Sequence, residues 1–131
     1  MAQASLEHVN VTVSDPGRTA ERLCALFNWQ IRWQGDAIHG GKTIHVGSDT
    51  DYIAVYAKGL PTDRPADSYS TRGSLNHIGV VVKNLDDIET RVTEAGYVPY
   101  SHADYEPGRR FYFRDDDGIE FEVVSYESKR A

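Results

Sequence analysis

Two histidines stand at matching places in two similar segments, LEHVNVTVSD from Leu6 to Asp15 and LNHIGVVVKN from Leu75 to Asn84. Both alternate with period two, the pattern of a half-buried strand. In the first, Val9, Val11 and Val13 share one side and Leu6, His8, Asn10 and Thr12 the other; in the second, Ile78, Val80 and Val82 oppose His77 and Gly79. The aliphatic side must meet a helix, so His8 and His77 are predicted to project from the opposite, concave and partly wet side. Near the end, Ile119, Phe121 and Val123 belong inward, which puts Glu120, Glu122, Val124 and Tyr126 on the histidine side. Two neutral imidazoles and one carboxylate on a rigid surface can hold a divalent first-row cation and leave positions open for a substrate. The plainer alternative makes both histidines half-buried strand residues bonded to nearby carbonyls, and the glutamate a solvated carboxylate.

The elements that must position these groups repeat as well. Asp15 followed by Pro16 is a helix start, since the carboxylate accepts from free N–H groups and proline needs no donor at the first position; Asn84 does the same in the second half. Ala20, Leu23, Cys24 and Phe27 make one helical stripe, and Leu85, Ile88, Val92 and Ala95 another. Asn28 and Gly96 can end these helices in the left-handed conformation. Three strand-like segments follow each helix, at 29–34, 42–47 and 51–57, then 97–102, 109–114 and 118–126, with turns at Gly35, Gly40-Gly41, Ser48-Asp49 and Asp115 to Gly118. The prediction is an α+β domain over 1–131. It comprises module one (1–57), a surface linker (58–73) and module two (74–131), each β-α-β-β-β, with helices outside a curved mixed half-barrel sheet. Neither half buries enough apolar surface alone.

Composition narrows the partners. The 131 residues include 14 Lys and Arg against 20 Asp and Glu, a formal charge of -6, which repels a nucleic acid backbone. No apolar run nears the roughly 20 residues that span a bilayer, and the single cysteine, Cys24, with an N-terminus lacking export-signal character, leads us to expect a cytoplasmic protein.

The duplicated pattern, its two histidine segments and RRFYFRDDDGIEFEVV near the end resemble the vicinal oxygen chelate superfamily, the group of glyoxalase I, extradiol dioxygenases, fosfomycin-resistance transferases, methylmalonyl-CoA epimerase and metal-free bleomycin-binding proteins. The resemblance covers nearly the whole chain and implies metal ligands on the first and last strand of each module: His8, His77 and, by the family's closing Asp-Pro-Asp-Gly-Asn-x-Ile-Glu-Leu motif laid over Asp115 to Val123, Glu122. Glu120 is the rival should the register slip by two. Ala54 occupies the place of a fourth ligand, where glyoxalase-like and epimerase-like members carry Glu or Gln. A His, His, Glu set leans toward the dioxygenase or fosfomycin modes.

The expected activity is therefore that of a metal-dependent enzyme, with Fe(II) or Mn(II) favoured and Zn(II) or Ni(II) possible, acting on a small molecule that chelates through adjacent oxygens, most of all in a dioxygenase-like reaction. His102, Tyr105 and Tyr112 are candidate proton acceptors, Arg110 suits an anionic substrate group, and Tyr52 and Tyr56 flank Ala54 as an aromatic wall. Two alternatives stand beside it: a glyoxalase/lyase- or fosfomycin-transferase-like enzyme, and a metal-free ligand-binding protein. Trp29 and Trp33 are read as anchors of sheet packing, and His39 and His45 are given no chemistry. Open sheet edges suggest a homodimer.

Overall fold

The computed structural model describes residues 2–105 and 108–127. The chain divides between Thr62 and Asp63 into two units. The first contains β1 (His8–Thr12), α1 (Pro16–Phe27), β2 (Gln30–Asp36), a single 3-10 turn at Ile38–Gly40, β3 (Lys42–Gly47) and β4 (Tyr52–Ala57). The second contains β5 (Ile78–Val81), α2 (Leu85–Glu94), β6 (Tyr100–Tyr105), β7 (Gly108–Arg114) and β8 (Glu120–Ser125). Strand order is β1-β4-β3-β2 in one sheet and β5-β8-β7-β6 in the other. The pairs β1/β4 and β5/β8 are parallel and the rest antiparallel. The α+β fold of two β-α-β-β-β modules is thus the one the chain adopts.

Local chemistry sets the helix ends as the sequence suggests. Asp15 accepts from the Arg18 N–H at 3.2 Å and Asn84 from the Asp87 N–H at 3.0 Å. Asn28 turns left-handed at φ 58° and Gly96 at φ 95°, each closing its helix end without a further turn. The α1 stripe buries Ala20, Leu23, Leu26 and Phe27 against β3, β4 and β2; α2 buries Leu85, Ile88 and Val92 against β7 and β8. Phe111, Phe113, Phe121 and Val123 complete the second core at no more than 1% exposure, which leaves their alternate neighbours on the sheet's other face.

Several boundaries differ from expectation, β2 among them, since it runs through Gly35, expected in a turn, to Asp36. The strand placed at 97–102 forms at Tyr100–Tyr105, because the Tyr97 N–H is spent on the Val92 carbonyl at the helix exit and Pro99 has no hydrogen to give a ladder. The last strand starts at Glu120 rather than 118, since Gly118 sits at φ 77° inside the hairpin turn. Residues 63–73, the larger part of the expected 58–73 linker, belong to the second unit: Arg64 donates to the carbonyls of Gly118 and Leu75, and the Tyr69 hydroxyl to Glu120. Among the described residues no helix is long and apolar enough to cross a membrane.

The β7–β8 turn carries an unusual acid. Asp115 accepts from the Asp117 and Ile119 N–H groups, both at 2.9 Å, yet burial outweighs these bonds and pushes its carboxyl up to about 6 from 3.8. The folded chain therefore holds an extra proton between these values, so this group's contribution to stability falls as pH rises through that window. Asp115→Asn should flatten that part of the pH dependence, read as the difference in urea midpoint between pH 4.5 and pH 7 in variant and parent.

Candidate functional site

In the second unit His77 immediately precedes β5. Parallel pairing sets Gly79 opposite Glu122, and β7 sets Tyr112 opposite Glu122 from the other side, so the three chemistry-bearing positions share one face. His77 Nε2 lies 3.1 Å from Glu122 Oε1, and its Nδ1 lies 2.6 Å from Asn76 Oδ1. An amide oxygen only accepts, so with this amide orientation Nδ1 carries the hydrogen, and Nε2 faces the carboxylate either as the second donor of a protonated ring or as a lone pair open to a cation. Two acceptors at that distance repel unless a cation, a proton or a metal ion, stands between them. The other Glu122 oxygen accepts from Arg110 Nη1 at 2.8 Å, and both side chains are mostly buried, which fixes the carboxylate plane. Gly79 keeps the neighbourhood open: a Cβ there would meet nothing within 4 Å. The Tyr112 ring stands edge-on to His77 at 5.7 Å, and burial, then the Glu122 charge, pushes its hydroxyl up.

Glu120, two places earlier on the same face, is spent. At 4% exposure its carboxylate takes hydroxyl donors from Tyr69 and Tyr100 and lies 3.5 Å from Arg114 Nη2. Burial alone would raise its pKa, but the Tyr100 and Tyr69 hydrogen bonds and the Arg114 charge outweigh it and hold the group below the usual glutamate value. The same contact pushes Tyr69 up to about 12, and burial with that contact does so for Tyr100. In this register it is Glu122 that meets the imidazole.

The first unit repeats the scaffold with different contents. His8 pairs with Tyr52 and Asn10 with Ala54, so Ala54 takes the place of Glu122 and Tyr52 that of Glu120. His8 Nδ1 lies 2.9 Å from Glu7 Oε1, again held by the residue just before it. Tyr52 stacks on His8 at 5.0 Å and 13°, gives its hydroxyl to Glu7 at 2.9 Å, and carries the Arg32 guanidinium at 4.8 Å. His45, opposite Ala54, stacks on Tyr52 at 4.4 Å and lies 5.2 Å from Trp33; burial, then neighbouring His8, lowers its pKa.

The other candidates separate by face. His102 does not join His77. A bulge between Tyr100 and Ala103, with Ser101 at φ 53°, turns it to the helix side, where it meets Glu89 of α2 at 2.8 Å and overlies Phe111. Tyr105 lies under the Arg110 guanidinium at 4.9 Å, and Arg110 itself spends donors on Glu122 and the Gly108 carbonyl. Tyr56 leans over Gly41 and donates to the Ile38 carbonyl at 2.8 Å, tied to the 3-10 turn. Trp33, expected to anchor sheet packing, is 52% exposed and lies over Gly35, where a Cβ would strike its ring. Trp29 does pack, against Phe27 at 4.9 Å. Within either unit, among the described residues, no three His, Cys, Asp or Glu side chains gather to hold a metal.

Sequence reasoning missed His45 and Tyr69. Strand β3 buries Ile44 and Val46 on the helix side, so period two alone sends His45 to the histidine face. Tyr69 lies in a stretch without periodicity and gives no such signal.

The model of the Glyoxalase/Bleomycin resistance protein/Dioxygenase superfamily matches residues 5–123. No curated protein matches significantly. Among solved structures, a glyoxylase/bleomycin resistance protein/dioxygenase domain from Frankia sp. EAN1pec is similar, with TM-score 0.79 and 22% identity over 95% of this chain and 98% of that one. The fosfomycin resistance protein FosX from Mesorhizobium loti gives 0.71 and 20% over 97% and 94%. A mutant FosX from Listeria monocytogenes, complexed with Mn(II) and 1S,2S-dihydroxypropylphosphonic acid, gives 0.72 and 19% over 97% and 95%. At these identities the likeness is one of fold.

Removing the buried Glu120 carboxylate strands two hydroxyls and an arginine. Glu120→Ala should cost about 3 kcal/mol of stability in urea unfolding.

Proposed function

Because the chain belongs to the Glyoxalase/Bleomycin resistance protein/Dioxygenase superfamily, we propose that it is a divalent-metal-dependent enzyme acting on a small molecule that offers two adjacent oxygens. The observation that carries this reading is the convergence of His77 Nε2 and Glu122 Oε1, 3.1 Å apart on one face. The repeat supports it: in both units the preceding side chain, Glu7 or Asn76, engages the imidazole Nδ1, the outer-shell contact that orients a ligating histidine and leaves Nε2 to coordinate. His77 and Glu122 are the proposed ligands in the second unit and His8 is the proposed third. Nitrogen and carboxylate donors suit Fe(II) or Mn(II). When bound, such a cation polarises the substrate oxygens and stabilises the negative charge that develops on them.

The chain's own residues have separate tasks. Asn76 holds the His77 ring, and Arg110 fixes Glu122 through Oε2 so that Oε1 stays directed at the imidazole. Gly79 leaves room for the small molecule. Tyr112, edge-on to His77, is the proposed proton carrier, a role for which His102 faces the wrong side. Ala54 offers no fourth ligand, which favours a dioxygenase-like reaction over a glyoxalase-like one; the FosX neighbours, one with Mn(II), make a fosfomycin-type reaction the competitor. A homodimer in the cytoplasm is part of the same proposal, since β1 and β5 each have one unpaired edge within their own sheets.

A second reading has its own observation. Arg110 already neutralises Glu122, so a proton on His77 would complete a stable cluster without metal, as a plain ligand-binding protein requires. Titration calorimetry with Mn(II) separates the two. Binding should be seen in the parent, be lost in His77→Ala and Glu122→Gln, and weaken roughly 10–100-fold in Asn76→Ala; absence of binding to the parent leaves only the second reading. Oxygen uptake with catechols after anaerobic Fe(II) loading supports the dioxygenase-like reaction, and Mn(II)-dependent consumption of an epoxide phosphonate the competitor.

A further inference from the structure

Each repeat-related histidine has a tyrosine ring laid against it, and the two tyrosines come from different places. Tyr52 of β4 stacks on His8 at 5.0 Å and 13°. Glu120 stands at the corresponding position of β8, so the second sheet supplies no ring there; Tyr69, from the segment before β5, stacks on His77 at 6.3 Å and 28° instead. In both cases the hydroxyl is anchored on a carboxylate, Glu7 for Tyr52 and Glu120 for Tyr69. The segment that carries Tyr69 is fastened at a second point by Arg64, on the carbonyls of Gly118 and Leu75.

From this we infer that Tyr69 is a positioning residue for His77, a ring held by Glu120 that limits how far the imidazole can swing, and that residues 63–73 act as a strap over this part of the site. The buried Glu120 carboxylate is the strap's anchor. That explains why a charged group sits at 4% exposure beside the proposed ligand without joining it: its acceptors are filled by Tyr69 on one oxygen and Tyr100 on the other. Asn76 restrains the same imidazole from Nδ1, Glu122 meets it at Nε2 and Tyr112 stands edge-on to it, and the Tyr69 ring adds a stacked neighbour. A linker with no other duty would need neither contact.

This inference rests on the metal-site reading, and the comparison of two tyrosines tests it. Tyr69→Phe and Tyr100→Phe each remove one hydroxyl from Glu120, but only Tyr69 touches His77. Calorimetric Mn(II) titration should show about tenfold weaker binding in Tyr69→Phe, a larger loss in Tyr69→Leu, and a change within about twofold in Tyr100→Phe. Equal effects in the two phenylalanine variants, or none in Tyr69→Leu, overturn the positioning role. If the parent binds no Mn(II) at all, the metal reading fails and the strap is judged on the imidazole itself. A long-range 15N–1H correlation spectrum of the metal-free protein should show one set of His77 ring signals in the parent and shifted or doubled signals in Tyr69→Leu. An unchanged spectrum in that variant defeats the inference independently of the metal.

Discussion

The close approach of one imidazole nitrogen to one carboxylate oxygen organises the second half of this molecule. His77 Nε2 and Glu122 Oε1 face each other at 3.1 Å, and neither partner is free to turn away. Asn76 holds the ring at Nδ1, and Arg110 holds the carboxylate at its other oxygen. A proton or a metal ion can be shared by such a pair, and the sheet keeps the two groups in register. Parallel pairing of the first and last strands does this, because it carries the register of one strand directly into the next.

That geometry also explains why two carboxylates so near each other behave differently. Glu120 and Glu122 share a face by period two, yet one is closed by tyrosine hydroxyls and the other stays directed at an imidazole. The difference lies in which neighbours reach them: Tyr69 and Tyr100 converge on Glu120, while Glu122 meets Arg110 and leaves one oxygen directed at His77. In the first unit the same lattice positions hold Tyr52 and Ala54, so the duplicated frame keeps its histidine while exchanging both acids for a ring and a methyl group.

Much of this was legible in the sequence because it depends on short-range rules. Alternation in the two histidine segments and capping by Asp15 and Asn84 are local, and both elements form where those residues place them. The equivalence of Ala54 with Glu122 follows from the repeat and is visible in the strand registers. What was hidden depends on events without a period. Pro99 and the exit bonds of α2 delay β6, a bulge turns His102 over, and Tyr69 reaches Glu120 across 51 positions of chain. Trp33 escaped for a related reason: its ring needs the bare backbone of Gly35 beneath it, a pairing of neighbours that hydrophobicity alone does not reveal.

The extra residue in β6 has an evolutionary corollary. Because Ser101 is the extra residue that interrupts the alternation, deletion of the Ala103 codon with Ser101 retained would restore the alternation, set His102 opposite Arg110 and rotate it away from Glu89, toward the surface that bears His77. A second imidazole would then join that face without any change of amino acid type. A change of strand length thus alters which groups share a face, beside the substitutions that set Ala54 where the other repeat has Glu122.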